Sequence, residues 1–177
     1  SALSDTGSTV KEVSIPETVV AIGSFAFYGC TGLTEIKLPG KLKEIEGIAF
    51  KGCKGISEIE LPGSLEKIGN EAFSGCTAIT EIILPIKVKE VGDRAFENCE
   101  ELGKITLNEG LESIGSGFLS KTAVKEIIIP KTVTGMSSAL SGAESLTKVT
   151  FESGMERIPS SALSDTGSTV KEVSIPE

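Results

Sequence analysis

Four cysteines have the clearest capacity for chemistry in this sequence. Cys30, Cys53, Cys76 and Cys99 follow one another at intervals of 23 residues, and the chain has no histidine. Zinc sites use close pairs such as C-x-x-C, which do not occur here, so we predict no metal site. Two interpretations stay open. An even count permits disulfides between neighbouring units, whereas equal spacing also fits a column of small buried thiols.

The other polar residues form no recognisable catalytic arrangement. Without histidine the usual general base near neutral pH is missing, and no serine lies in a G-x-S-x-G context. The string SDTGS at Ser4 and Ser164 is similar to strings found in calcium loops and aspartic proteases, but it occupies the register of turn strings such as YGCTG. We therefore predict a protein that is not an enzyme and needs no cofactor.

Charge and hydropathy exclude two further classes of partner. The chain has 177 residues and a net charge of −8, and an acidic surface repels phosphate, so we expect no nucleic-acid binding. No apolar run approaches the ~20 residues needed to span a bilayer. Because the first residue is Ser1 and no signal peptide opens the sequence, we expect a mature fragment of a longer protein.

The sequence is organised as a repeat of 22–24 residues. A first phrase, L-x-x-I-x-L-P, occurs eight times, and a second, L-x-x-I-G-x-x-A-F-x-x-C, follows it. Together they predict one domain over residues 1–177, with about seven units and a repeated terminal part-unit. The first phrase is found as VKEVSIP, LTEIKLP, ISEIELP, ITEIILP, LGKITLN, VKEIIIP, LTKVTFE and VKEVSIP again.

Each phrase has a physical interpretation. In TEIKL the apolar residues alternate with Glu35 and Lys37, which predicts a short strand with one buried side. Pro39 ends it because proline has no N–H for a sheet ladder. A 23-residue unit cannot bury its own apolar side, but stacked units with parallel strands can. The second phrase places a phenylalanine in the interior of each unit, on a turn or short helical piece, at Phe27, Phe50, Phe73, Phe96 and Phe118.

These phrases resemble the leucine-rich repeats of the BspA-like (Treponema-type) family, over nearly the full chain. The resemblance implies a right-handed solenoid with short parallel strands on one face and turns or short helical pieces on the other. The pattern is most faithful from Val10 to Cys99 and then departs from the family's phrase. Asn108 and Glu152 replace the proline, Leu140 and Leu163 the phenylalanine, and Lys121, Ala143 and Thr166 the cysteine.

The cysteine replacements favour one of the two interpretations of the thiols. Ala143 and Thr166 stand in the cysteine register, which a packing role permits and a disulfide does not. We therefore favour buried thiols over disulfides.

The outward side of the strands is the candidate binding surface. Its first row holds mostly glutamates, which bind a cation or a basic partner surface in one hypothesis and only keep the face solvated in the other. Ile83 and Ile128, in the second row, either contact a partner or pack beneath a loop. We predict partner binding by Glu35, Lys37, Glu58, Glu60, Glu81, Ile83, Lys104, Glu126 and Ile128.

Two functions follow from the resemblance. Members of the family are typically secreted or surface-attached proteins of anaerobic microbes, and some are adhesin-like, which implies an extracellular or cell-surface binding module for a host matrix or cell-surface protein. The alternative is a structural spacer or stalk with no ligand of its own. Solenoids of both kinds present long, rigid surfaces.

The two ends of the sequence are identical. Residues 1–17 and 161–177 both read SALSDTGSTVKEVSIPE, and each contains the end of one unit and the strand of the next. We interpret this as a segment of a longer repetitive array, with a duplication made by an experimenter as the alternative. Since neither end carries a polar cap, we also expect end-to-end self-association.

Overall fold

Each repeat of the chain forms one turn of a stack, with a strand from the first phrase and a shorter strand from the second. The computed structural model describes residues 9–166 and 169–175. Residues 1–8, which hold the first half of the duplicated part-unit with its SDTGS string, lie outside the described residues. The strands are β1 (Glu12–Ser14), β2 (Ala21–Ile22), β3 (Glu35–Lys37), β4 (Glu44–Ile45), β5 (Lys67–Ile68), β6 (Glu81–Ile83), β7 (Glu90–Val91), β8 (Lys104–Thr106), β9 (Ser113–Ile114), β10 (Glu126–Ile129), β11 (Lys148–Phe151) and β12 (Glu172–Ser174).

The strand pairing confirms the predicted solenoid. Every pair is parallel and joins equivalent positions of consecutive units, as in Ile82 opposite Ile105 and Val149 opposite Val173. The first-phrase strands form three sheets, β1-β3, β6-β8 and β10-β11-β12. The described residues contain turns and no helix on the remaining sides, so the phenylalanines lie on turns rather than on short helical pieces.

The second-phrase strands form the longest continuous sheet, which the sequence did not predict. This second ladder runs in the order β2-β4-β5-β7-β9. Its inward residues, such as Ile45 and Ile68, are fully buried. Its outward side is lined by cross-unit ion pairs, Lys43 with Glu66 at 3.2 Å and Lys67 with Glu90 at 3.2 Å. Such exposed pairs stabilise little individually, but they leave few unpaired charges on this side.

Four phenylalanines form a stacked column inside the turns. The centroids of the Phe27 and Phe50 rings lie 5.0 Å apart, those of Phe50 and Phe73 5.3 Å, and those of Phe73 and Phe96 5.5 Å. Phe50, Phe73 and Phe96 have no solvent exposure. The column extends through four consecutive units and buries the largest side chains of the core.

The fifth unit corrects the predicted register of its core residues. In the faithful units the phenylalanine N–H donates to the carbonyl of the alanine before the next phenylalanine, as Phe73 does to Ala95. Phe96 donates to the carbonyl of Phe118 in the same way. Phe118 therefore occupies the alanine position and Leu119 the phenylalanine position, and both are fully buried.

The predicted cysteine position of the fifth unit, Lys121, is wrong by one residue as well. Thr122, not Lys121, takes the place of the cysteine and is buried. Lys121 is exposed and adopts a left-handed conformation with φ of 54°, like Gly75 and Asn98 before the preceding cysteines. Thr122 keeps the 23-residue interval from Cys99, and a buried lysine without a partner would be costly.

One predicted strand does not form. The phrase ISEIELP predicts a strand like that of LTEIKLP, but residues 57–61 are in no strand. A regular ladder here would place Glu58 ~4.8 Å from the positions of both Glu35 and Glu81. Like charges at that distance repel by roughly 1 kcal/mol in water, but the same repulsion does not prevent pairing where Glu12 lies opposite Glu35. Charge alone therefore does not account for the interruption of the first-phrase sheet at this unit.

Replacing a phenylalanine of the column tests the core. We expect Phe73→Ala to lower the free energy of unfolding by about 3–5 kcal/mol, because a large buried ring leaves a cavity. Phe25→Ala is the control, since Phe25 is 44% exposed and its loss removes little burial. Chemical denaturation of the three proteins measures the difference, and a loss below about 1 kcal/mol at Phe73 would contradict its position in the core.

A close approach between turns explains one recurring glycine. A Cβ on Gly92 would lie 2.4 Å from Oδ1 and 2.5 Å from the backbone N of Asn70, whereas a Cβ on Gly63 would meet nothing within 4 Å. The same Asn70 Oδ1 accepts a hydrogen bond from the Asp93 N–H at 2.9 Å. Only glycine lets the two turns approach this closely.

We therefore expect opposite outcomes from two glycine-to-alanine changes. Gly92→Ala should destabilise the fold by about 1–3 kcal/mol, because the new methyl group forces the neighbouring turns apart. Gly63→Ala should be neutral or stabilising by up to about 1 kcal/mol, since it only restricts the unfolded chain. Thermal unfolding followed by circular dichroism compares them, and equal effects would refute the steric explanation.

Candidate functional site on the strand face

The outward side of the first-phrase strands and of residues 57–61 forms one surface, the strand face. In the sheets that form, the pairing register aligns the outward residues of neighbouring strands in the two predicted rows. Glu81 lies opposite Lys104, and Ile83 opposite Thr106. All nine predicted site residues are exposed, and they lie on β3, residues 57–61, β6, β8 and β10. The structure therefore brings them to a single side of the stack, while their role in binding stays a prediction.

Charge divides the strand face into two halves. Towards the C-terminal end the glutamates are neutralised by lysines, as in Glu81 with Lys104 at 2.6 Å and Glu172 with Lys148 at 2.6 Å. Hydrogen bonding within the second pair lowers the pKa of Glu172 and raises that of Lys148. Towards the N-terminal end the charges are unbalanced.

The unbalanced half contains like charges in register. Glu12 lies directly opposite Glu35, and Glu58 and Glu60 follow in the next unit. Within residues 9–166 and 169–175 none of these four carboxylates takes part in an ion pair. This half of the face therefore presents a negative potential to solvent.

Apolar side chains are also exposed on or beside this face. Ile83 is 60% and Ile128 63% exposed, which is inconsistent with the alternative that they pack beneath a loop. The structure adds Ile86, which is 64% exposed and which sequence reasoning missed. The sequence contained a signal for Ile86. The residue after the proline is glycine in the two preceding units, Gly40 and Gly63, so an isoleucine at this position departs from the repeat.

The interruption of the sheet opens two grooves in the strand face. One, of about 960 Å³, lies between β1, β3 and the unpaired segment, and Glu35, Lys37 and Glu60 are in its wall. The other, of about 490 Å³, lies between the unpaired segment and β6. Its lining consists of Ser57, Glu58, Ile59, Glu60, Leu61, Thr80, Glu81, Ile83 and Pro85.

The cysteines form the predicted column and are not part of this surface. All four are free and buried. The Cys53 thiol donates a hydrogen bond to the Phe27 carbonyl at 3.0 Å, and those of Cys76 and Cys99 repeat the contact one unit further on, at 3.1 and 3.2 Å. Each of these three thiols therefore fills a corner of its turn and links it to the preceding turn.

The surroundings of the thiols act in opposite directions: the hydrogen bond with Cys76 lowers the pKa of Cys53, whereas the reactivity of Cys76 and Cys99 is suppressed. Burial raises the pKa of Cys99 to about 12, and hydrogen bonding with Cys53, together with burial, holds the pKa of Cys76 well above its usual value. Since the thiolate is the reactive form, neither thiol is suited to nucleophilic or redox chemistry near neutral pH. The described residues also contain no group of three or more His, Cys, Asp or Glu side chains arranged to hold a metal ion.

Thiol titration tests the column. With DTNB at neutral pH, we expect less than about one thiol to react per folded chain, because all four thiols are buried and reagent access is needed for reaction. All four should react after unfolding in guanidinium chloride, which serves as the control for complete labelling. Rapid labelling of all four in the folded protein would refute the column.

A stack of parallel-stranded turns, built on a repeated L-x-x-I-x-L-P phrase and an inward column of phenylalanines, defines a leucine-rich repeat solenoid. The family described as BspA type Leucine rich repeat region matches this chain in six copies, over residues 4–117 and 67–177. The chain belongs to this BspA-type leucine-rich repeat family.

Solved structures support the same assignment. A leucine rich cell surface protein from Faecalibacterium prausnitzii is 33% identical with a TM-score of 0.75, over 80% of this chain and 39% of that protein. This chain therefore spans well under half of that relative's length. The leucine-rich repeat protein of T. pallidum is 22% identical with a TM-score of 0.58, over 92% of this chain and 68% of that one, and shows the fold alone.

No curated protein sequence matches this chain significantly. Throughout residues 9–166 and 169–175, no helix has the length and apolar character that crossing a membrane requires.

Proposed function

We propose that this chain is a non-catalytic protein-binding module of a microbial cell-surface or secreted protein, and that it binds its partner through the strand face. The observation that carries this proposal is the pairing of exposed apolar side chains with unneutralised charge on a rigid surface. Ile83 and Ile128 are more than half exposed, although nothing in the packing of the solenoid requires an apolar residue there. Exposed apolar groups rimmed by charge are typical of interaction sites.

The proposed cellular location is inferred from a similar protein of known structure. The F. prausnitzii structure that resembles this chain is described as a leucine rich cell surface protein. A cell-surface or extracellular location, with an adhesin-like role towards a host matrix or cell-surface protein, fits that description and the acidic, exposed strand face.

A structural spacer is the second candidate, and one observation favours it. The second ladder runs without interruption through five strands and, with the phenylalanine column, ties consecutive turns on two sides. A solenoid tied in this way holds its ends at a fixed separation. A spacer needs only these inward contacts, so the residue types on its strand face would not matter for its function.

Changing the strand face separates the two candidates. A variant with Glu58, Glu60, Ile83 and Ile128 replaced by serine should lose affinity for a partner found in a panel of immobilised matrix and cell-surface proteins. We expect the loss to be about tenfold or more, since both charged and apolar contacts are removed. Surface plasmon resonance measures the affinities.

A matched variant controls for charge and hydropathy. Glu109, Glu144, Val20 and Ile158 are exposed and lie outside the strand face, and their replacement by serine removes the same number of carboxylates and branched apolar groups. Unchanged affinity of the first variant would eliminate the strand face as the binding surface. Absence of binding by the unaltered chain to every panel member would favour the spacer.

Self-association of copies stays a prediction. Val173 in β12 and Ile175 beside it are 44% and 59% exposed, and β12 has one strand partner, β11, among the described strands. An open strand edge with exposed apolar groups is a template for a further strand.

A further inference from the structure

The segment of residues 57–61, hereafter the open segment, has backbone groups that no neighbouring strand satisfies. Its N–H and C=O groups form no backbone hydrogen bond with any other described residue. On one side β3 pairs only with β1, and on the other β6 pairs only with β8. The open segment and both neighbouring strands therefore present free sheet edges within the strand face. Such edges are templates for an added strand.

The groove beside the open segment has the size of a ligand site. Its volume is about 490 Å³, within the ~300–1,000 Å³ typical of binding pockets. Leu61 is nearly buried, while Ile83, at 60% exposure, stands over one wall of the groove. The groove thus offers an apolar wall next to unsatisfied backbone groups.

The charge of the groove selects the chemistry of its occupant. Glu58 and Glu60 are exposed and have no cation within the described part of the chain. They are two residues apart on an extended segment, so their side chains lie on one side, at a separation of about 7 Å. Basic side chains at alternate positions of an extended peptide have the same spacing. Their aliphatic stems can cover Ile83 while their charged ends reach the carboxylates.

We propose that the open segment binds an extended peptide that carries lysine or arginine at alternate positions, and that the peptide backbone adds to the free sheet edge. This inference rests on the proposed binding role of the strand face and specifies the chemistry of its partner. Main-chain hydrogen bonds would provide affinity in this mode, and side-chain contacts would provide specificity. The ion pairs to Glu58 and Glu60 would select basic over acidic peptides.

A second break in the first-phrase sheet lacks this combination. β8 and β10 are not hydrogen-bonded, but they remain adjacent, and the first-row residues there are Lys104 and Glu126. Opposite charges at this break balance each other, and Lys104 also pairs with Glu81. The open segment is therefore the favoured site.

The test uses the full chain and three soluble probes. They are the capped hexapeptide KTKTKT, its acidic counterpart ETETET, and KTKTKT with its threonine amides N-methylated, which keeps the charge but removes backbone donors. Fluorescence anisotropy measures affinity for each. Hydrogen exchange of the amides of residues 57–61 is measured with and without KTKTKT.

Two charge-matched variants accompany the probes. E58Q/E60Q removes two carboxylates from the groove, and E109Q/E144Q removes two exposed carboxylates elsewhere. We expect KTKTKT to bind the unaltered chain and E109Q/E144Q equally, and E58Q/E60Q roughly tenfold more weakly. ETETET and the N-methylated peptide should not bind measurably. The amides of residues 57–61 should exchange quickly in the free chain and slow down when KTKTKT is present.

Each contrary outcome refutes one part of the proposal, either the basic-peptide site or the addition of the peptide as a strand. Absence of KTKTKT binding, or equal weakening by the two glutamine pairs, would refute the groove as a basic-peptide site. Equal binding of the N-methylated peptide, or unchanged exchange, would refute strand addition. The proposed function fails separately, because it depends on the protein panel. If a panel protein binds through the strand face while KTKTKT does not, the present inference fails and the binding role stands.

Discussion

Every feature of this protein depends on the stacking of one turn upon the next. A unit of 22–24 residues has an apolar side that it cannot cover itself, so each unit is stable only between neighbours. The contacts that hold the stack repeat with the same period. Phe50 lies on Phe27, and the Cys53 thiol reaches the carbonyl of Phe27. A residue in the core therefore has to fit both its own turn and the equivalent position one unit away.

This constraint explains why the inward half of the molecule could be predicted from the sequence. Alternation in TEIKL and the fixed distance to the phenylalanine and cysteine indicate which side of each unit is buried. The column of Phe27, Phe50, Phe73 and Phe96 and the burial of all four thiols follow from that pattern. The second phrase also contains a recurring glycine. Only the structure explains why glycine is required there, because the turn of Asn70 lies directly against Gly92.

One error was avoidable: in the fifth unit residue type alone assigns Phe118 to the phenylalanine position, although the 23-residue interval from Phe96 leads to Leu119, as the hydrogen bond from Phe96 also indicates. The rest could not be predicted because it depends on relations between units. The second ladder is formed by two-residue strands, which are too short to produce a visible alternation. The open segment has the same phrase as its neighbours, so no pattern within a single unit distinguishes it from the strands on either side.

The outward half of the molecule is free of the stacking constraint, and it is there that the units differ most. Neutralised pairs such as Glu81 with Lys104 occupy one half of the strand face, and unpaired carboxylates and the two grooves occupy the other. The stack is thus a uniform scaffold with a locally distinct surface. This division of roles makes a binding module compatible with a repeat whose core hardly varies from Val10 to Cys99.

The uniform spacing of the contacts has a consequence for how the chain folds. The side-chain hydrogen bonds between units join residues 20–26 positions apart, and strand pairs join residues 22–24 apart. Among residues 9–166 and 169–175, each turn pairs with its neighbours in sequence, so the closure entropy of a new turn is that of one short loop. A chain that emerges gradually from a ribosome or an export pore can therefore add its turns one at a time, each on the surface of the turn before it.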